Sequence, residues 1–386
     1  MASLYLHIPF CEKKCIYCDF YSIESLSSID AFLRALETEI TSYAEYGKRE
    51  TFETIFFGGG TPSLLSPETI GRLLDLLHRT YTVTDTAEIT LETNPGTVDS
   101  AKLAGYKSAG INRLSFGVQS FHQKDLGFLS RIHTVQEARD AVAWAKEAGF
   151  KNVNIDLIYA LPGQTHDEWK DNLDQAMALG TQHISAYNLI VEDGTPLARM
   201  VHSKQVSPAP TETEAEMYEM TMEYLASHGF VHYEVSNYAL PGCESQHNSN
   251  YWNHTNYLGF GPSAHSFWQN RRWWNIANIQ TYNNKLNERI LPLAGEETLT
   301  AEQLLEEEIM LNARCGKIDL GSMADKHGIE IEHSGTLDFV RAMESEGLVT
   351  FETATLYTLT PKGFLVCEEI SERLIRNLAA ATAHAA

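Results

Sequence analysis

No apolar run in the sequence approaches the roughly 18 residues that a membrane span needs. The opening MASLYLHIPF has no basic stretch followed by a long apolar one, so no secretory leader is expected and a cytosolic, reducing compartment is. Basic residues are scarce: 29 Lys and Arg stand against 51 Asp and Glu, a formal net charge of −22. Nucleic-acid affinity rests mainly on Lys and Arg contacts to phosphate, so no nucleic-acid partner is expected. No long block of like charges occurs; the densest run, EEE at 306–308, reads as a solvated helix face. Six cysteines in a reducing compartment point to metal or redox chemistry rather than a disulfide framework. One cysteine is missing where it would matter most. The stretch HIPFCEKKCIYCDF, residues 7–20, holds Cys11, Cys15 and Cys18 and no fourth.

What is present is a regular alternation. Short β-rich runs, LYLHIP (4–9), TIFFGGG (54–60), EITLET (88–93), RLSFGVQS (113–120), NVNIDLIYAL (152–161) and HISAYNLIV (183–191), are separated by amphipathic stretches such as PETIGRLLDLLHRTY. Strand, helix, strand in succession implies right-handed parallel crossovers, and six units suit a partial β/α barrel over residues 1–235. Chemistry in such barrels gathers at the C-terminal strand ends, where Cys11–Cys18, Gly58–Thr61, Glu92, Gln119 and Asp156 all fall. Residues 236–299, rich in Asn, Tyr, Trp and His with weak periodicity, read as an irregular segment covering one end of the barrel. Residues 300–378 read as three helices, a hairpin and a last helix, a small winged-helix-like α+β domain, and 379–386 as a frayed tail. That last domain carries 15 acidic and 7 basic side chains over 301–378, which argues against a DNA-binding regulator.

Cys15 and Cys18 alone would make a CxxC redox pair, but a third cysteine four residues earlier is not part of that design. A closed zinc site needs about four ligands, and His7, in an extended segment two residues before Pro9, reads as structural rather than as the fourth. Cys243, Cys315 and Cys367 are isolated and read as small buried hydrophobes. Three thiolates on a [4Fe-4S] cube leave one iron open. That iron can chelate the amino and carboxylate groups of S-adenosylmethionine, and an electron passed to the sulfonium breaks its C–S bond to give a 5′-deoxyadenosyl radical.

Together YLHIPFCEKKCIYCDF, FFGGGTPS, LETNP, FGVQSF and DLIYALPGQT resemble the radical SAM proteins of the anaerobic coproporphyrinogen oxidase family, and the likeness runs on through GFGPSAHSF to the C-terminal domain. The resemblance implies that Cys11, Cys15 and Cys18 bind the cluster. It implies that Tyr17 lies beside the adenine and Tyr5 near the methionine end, with Gly59, Gly60 and Thr61 as backbone contacts and Glu92 holding the cofactor. Gln119, Arg131 and Asp156 match residues that contact a second S-adenosylmethionine in the oxidase. An ordinary surface ion pair is the competing reading of Arg131.

Two departures stand out. The oxidase carries a further cysteine where this chain has Phe20, and a long N-terminal extension where this sequence has ten residues before Cys11. Both put porphyrinogen decarboxylation in doubt and fit the sister branch, the HemW-type haem chaperones. HNSNYW (247–252) matches an HNxxYW motif of that branch, so His247 is the candidate haem ligand, with His254 and His265 behind it. A histidine that merely hydrogen-bonds in a polar loop is the alternative. Phe20 is expected to pack against the cluster loop and exclude water. The resemblance implies haem as cargo, a haem-acceptor protein, and an electron donor such as a flavodoxin or ferredoxin. It leaves open a membrane-associated acceptor and a homodimer.

Overall fold

The computed structural model describes residues 1–384 apart from 49, 330 and 332–334. Six strands run parallel and pair in chain order: β1 (Ala2–Ile8), β2 (Thr51–Gly59), β3 (Thr82–Thr93), β4 (Arg113–Gln119), β5 (Asn152–Tyr159) and β6 (His183–Asn188). Helices Ile29–Ser42, Pro67–Thr80, Ser100–Ala109, Val135–Glu147 and His166–Leu179 supply crossovers. Pro67–Thr80 illustrates why: Ser66 accepts from the Thr69 N–H, Pro67 fits the first turn, and Ile70, Leu73, Leu74 and Leu77 fall on one buried face. Thr134 and Thr165 open two later helices with reciprocal capping boxes. The expected partial β/α barrel is thus formed.

Strand residues alternate between two environments. Leu4, Leu6, Ile55, Leu91, Leu114 and Val153 join the helices in one hydrophobic core. The opposite face is polar: Ser3, Thr54, Glu88, Arg113, Ser115, Asn154, His183 and Ser185 are all buried there. A closed eight-stranded barrel fills this space with branched apolar side chains. Here it is hollow, and the sheet stays open.

The sheet also continues past both edges of the barrel. β7 (Val231–Glu234) and β8 (Asn237–Ala239) add antiparallel beyond β6. On the other side β9 (Asn256–Phe260) pairs parallel to β1, followed by antiparallel β10 (His265–Trp268), β11 (Arg271–Asn275) and β12 (Leu293–Thr298). The order is β12-β11-β10-β9-β1-β2-β3-β4-β5-β6-β8-β7, twelve strands in one sheet. Residues 236–299, expected to be an irregular cover, therefore extend the sheet. Runs of four to six residues are too short to display a period, and β9 is held by its pairing with β1. Gly261, at φ +103, makes that approach possible, because a Cβ there would lie 2.4 Å from the His7 carbonyl oxygen. Buried Glu39 fastens the extension to helix Ile29–Ser42, accepting from the Gly261 N–H (2.8 Å), Asn275 Nδ2 (2.6 Å) and Tyr282 Oη (2.6 Å).

Beyond residue 300 lie helices Ala301–Arg314, Leu320–His327 and Thr336–Ser345, and a small antiparallel sheet of β13 (Lys317–Asp319), β14 (Val349–Phe351) and β15 (Leu356–Leu359). These are the elements of the expected winged-helix-like unit, with β13 added to the hairpin. The last helix, Cys367–His384, runs through most of the tail that was expected to fray; residues 385 and 386 lie outside the described residues. Among the described residues no helix is long and apolar enough to cross a membrane.

Candidate cofactor site

The three cysteines sit on the loop that leaves β1 at Ile8. Its return is pinned by backbone bonds from Cys11 N to Ile23 O (2.9 Å) and Ile23 N to Pro9 O (2.7 Å). A tight turn brings Cys18 N to Cys15 O (3.3 Å). Burial pushes the Cys11 thiol up and the Cys18 thiol up to about 11, so a thiolate at either position needs a positive partner beside it. Thr61 Oγ1 lies 3.6 Å from Cys11 Sγ, and Arg131 Nη1 donates to Cys15 Sγ at 3.3 Å.

Among the described residues no three His, Cys, Asp or Glu side chains converge on a single metal ion. A cube whose three irons each take one thiolate spreads its ligands more widely, and a three-thiol loop with no fourth donor fits that group. His7 is not available as a ligand. Its Nε2–H donates to the Tyr21 carbonyl (2.8 Å), its Nδ1 accepts from Tyr5 Oη (3.1 Å), and burial lowers its pKa to about 4. The expected structural role for His7 is what it has: it ties the far side of the cysteine loop to β1.

The glycines after β2 bring this loop close. Gly59 adopts φ +108, and a Cβ there would stand 2.7 Å from the His7 ring; one on Gly60 would stand 2.7 Å from the Phe10 carbonyl oxygen. The Gly59 N–H donates to Glu92 Oε2 (3.1 Å), which joins the loop to β3. Gln119, at φ +70 on a bulge ending β4, turns its amide toward Gly117, where Arg131 Nη2 also donates to the carbonyl oxygen (2.5 Å). Arg131 therefore binds Cys15 and the β4 backbone rather than forming a surface ion pair. Tyr17 packs with Leu129, Ile158, Leu161, Leu189 and Leu197 beside the loop.

Below the loop, the hollow face of the sheet encloses a cavity of about 340 Å³. Of the residues singled out from sequence, Tyr5, Glu92, Asp156 and His247 line it, whereas Tyr17, Gly59, Gly60, Thr61, Gln119 and Arg131 do not; Thr61 and Arg131 reach cysteine sulfurs instead. Burial, with repulsion from Asp156, pushes Glu92 up to about 8; burial raises Asp156 as well, against bonds from Asn154 Nδ2 (2.7 Å) and Ser115 Oγ (3.3 Å). Two carboxyls held out of their ordinary range in one cavity gain most from a cationic occupant. Arg113 stands beneath them, 2% exposed, 3.9 Å from Glu88 and with an unpartnered Nε.

Phe20 does not pack against the loop as expected. It is 63% exposed at the cavity mouth, beside Tyr187 at 40%.

His247 lies at the opposite end, in helix Gln246–Trp252, with no exposed surface. Nδ1 meets Thr54 Oγ1 at 2.7 Å, Nε2 meets Tyr251 Oη at 2.9 Å, and the ring stacks on Phe56 at 4.9 Å. Burial, with the Arg113 charge, lowers its pKa to about 3. The ring is thus hydrogen-bonded at both nitrogens, in a helix rather than a polar loop. An iron ligand here would have to displace Thr54 or Tyr251. His254 bonds Glu307 (3.2 Å), while His265 is exposed and stacked on Trp274.

The signal that sequence reading passed over is period two. S-Y-H at 3, 5 and 7, E-T-E at 88, 90 and 92, and N-N-D at 152, 154 and 156 place a polar group on every second strand residue. Such alternation on strands whose other face is apolar marks a polar lumen.

A parallel β/α partial barrel with three thiols on the loop after its first strand, over a cavity walled by two carboxyls, is the architecture of the radical SAM class. The Radical SAM superfamily matches residues 5–176. The chain is 37% identical over 376 residues to the heme chaperone HemW of Bacillus subtilis, covering 96% of this chain and 98% of the relative. It is 35% identical over 379 residues to the protein of that name from Mycobacterium tuberculosis H37Rv, covering 97% and 94%. The chain belongs to the HemW heme-chaperone family. The solved Escherichia coli coproporphyrinogen III oxidase HemN, a radical SAM enzyme, shares the fold, with a TM-score of 0.83 and 24% identity over 97% of this chain and 89% of that one.

Proposed function

We propose that this protein is a haem chaperone: it binds haem, holds a [4Fe-4S] cluster on Cys11, Cys15 and Cys18, takes S-adenosylmethionine into the cavity beneath, and passes haem to an acceptor protein. The observation that carries this reading is full-length identity of 35–37% to haem chaperones, since the fold alone is shared with the oxidase. A cluster with one iron free of protein ligands supplies an open coordination site and an electron.

The chain's own residues bind and orient. Glu92 and Asp156 receive the cationic end of the cofactor, whose charge draws both carboxyls toward ionisation. Tyr5 sets one wall, Gly59 and Gly60 allow close backbone approach, and Tyr17, Thr61 and Arg131 hold the loop that carries the thiols, with Gln119 beside Arg131 at Gly117. A cytoplasmic location, a flavodoxin- or ferredoxin-like electron donor, a membrane-associated acceptor and a homodimer belong to the same proposal.

The test is haem titration of anaerobically reconstituted protein, followed at the Soret band. Stoichiometric binding is expected, and its absence removes the reading. The shared fold favours one competitor, porphyrinogen decarboxylation; formation of protoporphyrinogen under reducing conditions would establish it in place of the chaperone.

A further inference from the structure

The HNxxYW helix and the cysteine loop lie at opposite ends of one cavity. The loop follows the C-terminal end of β1, while the helix sits against residues near the N-terminal ends of β1 and β2, bonded at Ser3 and Thr54. Asn250 Nδ2 donates to Ser3 Oγ (2.9 Å), and Thr54 Oγ1 donates to the same oxygen (2.9 Å). With the Thr54 proton directed to Ser3, His247 carries its own on Nδ1 and accepts from Tyr251 at Nε2. Glu88 accepts the backbone N–H groups of Gln246 (3.1 Å) and His247 (3.0 Å), completing the attachment to β3. Among the described residues the buried Nε1 of Trp252 has no partner, and neither does the side chain of Asn248. Its carboxamide lines the cavity and makes no side-chain hydrogen bond to the protein.

We infer that the HNxxYW helix is the inner floor of the cofactor cavity, with Asn248 contacting bound S-adenosylmethionine and His247 acting as a positioning residue rather than as a haem ligand. This rests on the reading that S-adenosylmethionine occupies the cavity. His247 fixes the height of the helix through Thr54 and the tilt of the floor through Phe56, which lines the cavity beside Tyr5. Loosening either contact moves Asn248 away from the occupant. A buried donor left unpaired by such a change has no water to turn to.

Equilibrium dialysis of S-adenosylmethionine and Soret titration of haem, run on the same cluster-reconstituted preparations, decide the matter. Thr54→Val and Asn248→Ala both keep the His247 ring. Each is expected to weaken cofactor affinity about tenfold, the effect of one lost buried hydrogen bond, with iron content and haem affinity unchanged. His247→Ala is expected to weaken cofactor affinity at least as much while haem affinity stays within about threefold of wild type. Cofactor affinity unmoved by Thr54→Val and Asn248→Ala overturns the floor. Loss of haem binding in His247→Ala overturns the positioning role, and wild-type protein that takes up no cofactor overturns both. Failure of wild type to bind haem sinks the chaperone reading alone, since dialysis still decides the floor.

Discussion

The cysteine loop and the HNxxYW helix face each other across the same cavity, yet their polar groups are in opposite conditions. At the loop, burial pushes the Cys11 and Cys18 thiols up, against hydrogen bonds from Thr61 and Ser22 to Cys11 and from the Phe20 backbone to Cys18, while Arg131 donates to Cys15 at 3.3 Å. At the helix, His247 is saturated at both nitrogens and stacked besides. Both stretches read as ligand motifs in sequence. The difference lies in the partners: the thiols meet weak or charged donors, while the imidazole meets a hydroxyl at each nitrogen.

Removing the thiols breaks the comparison most severely. Cys→Ala at 11, 15 or 18 should abolish the iron content of reconstituted protein, whereas the triple change at Cys243, Cys315 and Cys367 should leave it whole; iron analysis decides. Gly59→Ala comes next. It forces a side chain into φ +108 and against the His7 ring, which should cost about 1–3 kcal/mol in thermal or urea unfolding and loosen the loop without touching the floor. Glu92→Gln sharpens the contrast through pH. Glu92 is protonated below about 8, and binding a cation requires its ionised form, so wild-type cofactor affinity should rise toward pH 8 and then level off. The Gln variant should bind more weakly and lose that part of the rise; an unchanged profile removes Glu92 from the site. Phe20→Ser should do least. The ring is exposed, so stability should move by less than about 0.5 kcal/mol with iron and haem retained.

Much of this was legible in the residues. The six barrel strands announce themselves because each carries an apolar run long enough to read, and the cysteine spacing together with FFGGGTPS locates the loop and its neighbour. β9–β12 are hidden for a physical reason: each is stabilised by a partner far away in sequence, and four to six residues cannot display a period. The exposure of Phe20 is not legible in sequence, because a missing ligand says nothing of where its replacement points. His247 reads from sequence as a candidate haem ligand or a hydrogen-bonding residue alike, since its motif specifies residue types and not partners. Thr54, which meets its Nδ1, and Ser3, which accepts the Thr54 proton, lie on strands whose polar alternation is easily missed beside their apolar one.

The pairing of β1 with both β2 and β9 has a consequence for how the protein is made. β1 leaves the ribosome ahead of both its partners, gains β2 on one flank within seconds, and then keeps a bare hydrogen-bonding edge until Asn256–Phe260 appears. At about 5–20 residues per second that wait lasts on the order of 10–50 s. Throughout it the thiol loop hangs from a strand exposed to any passing β-edge, so nascent chains need protection from misassembly. Completion of the sheet, and with it the enclosure of the cavity, is an event of late translation rather than early.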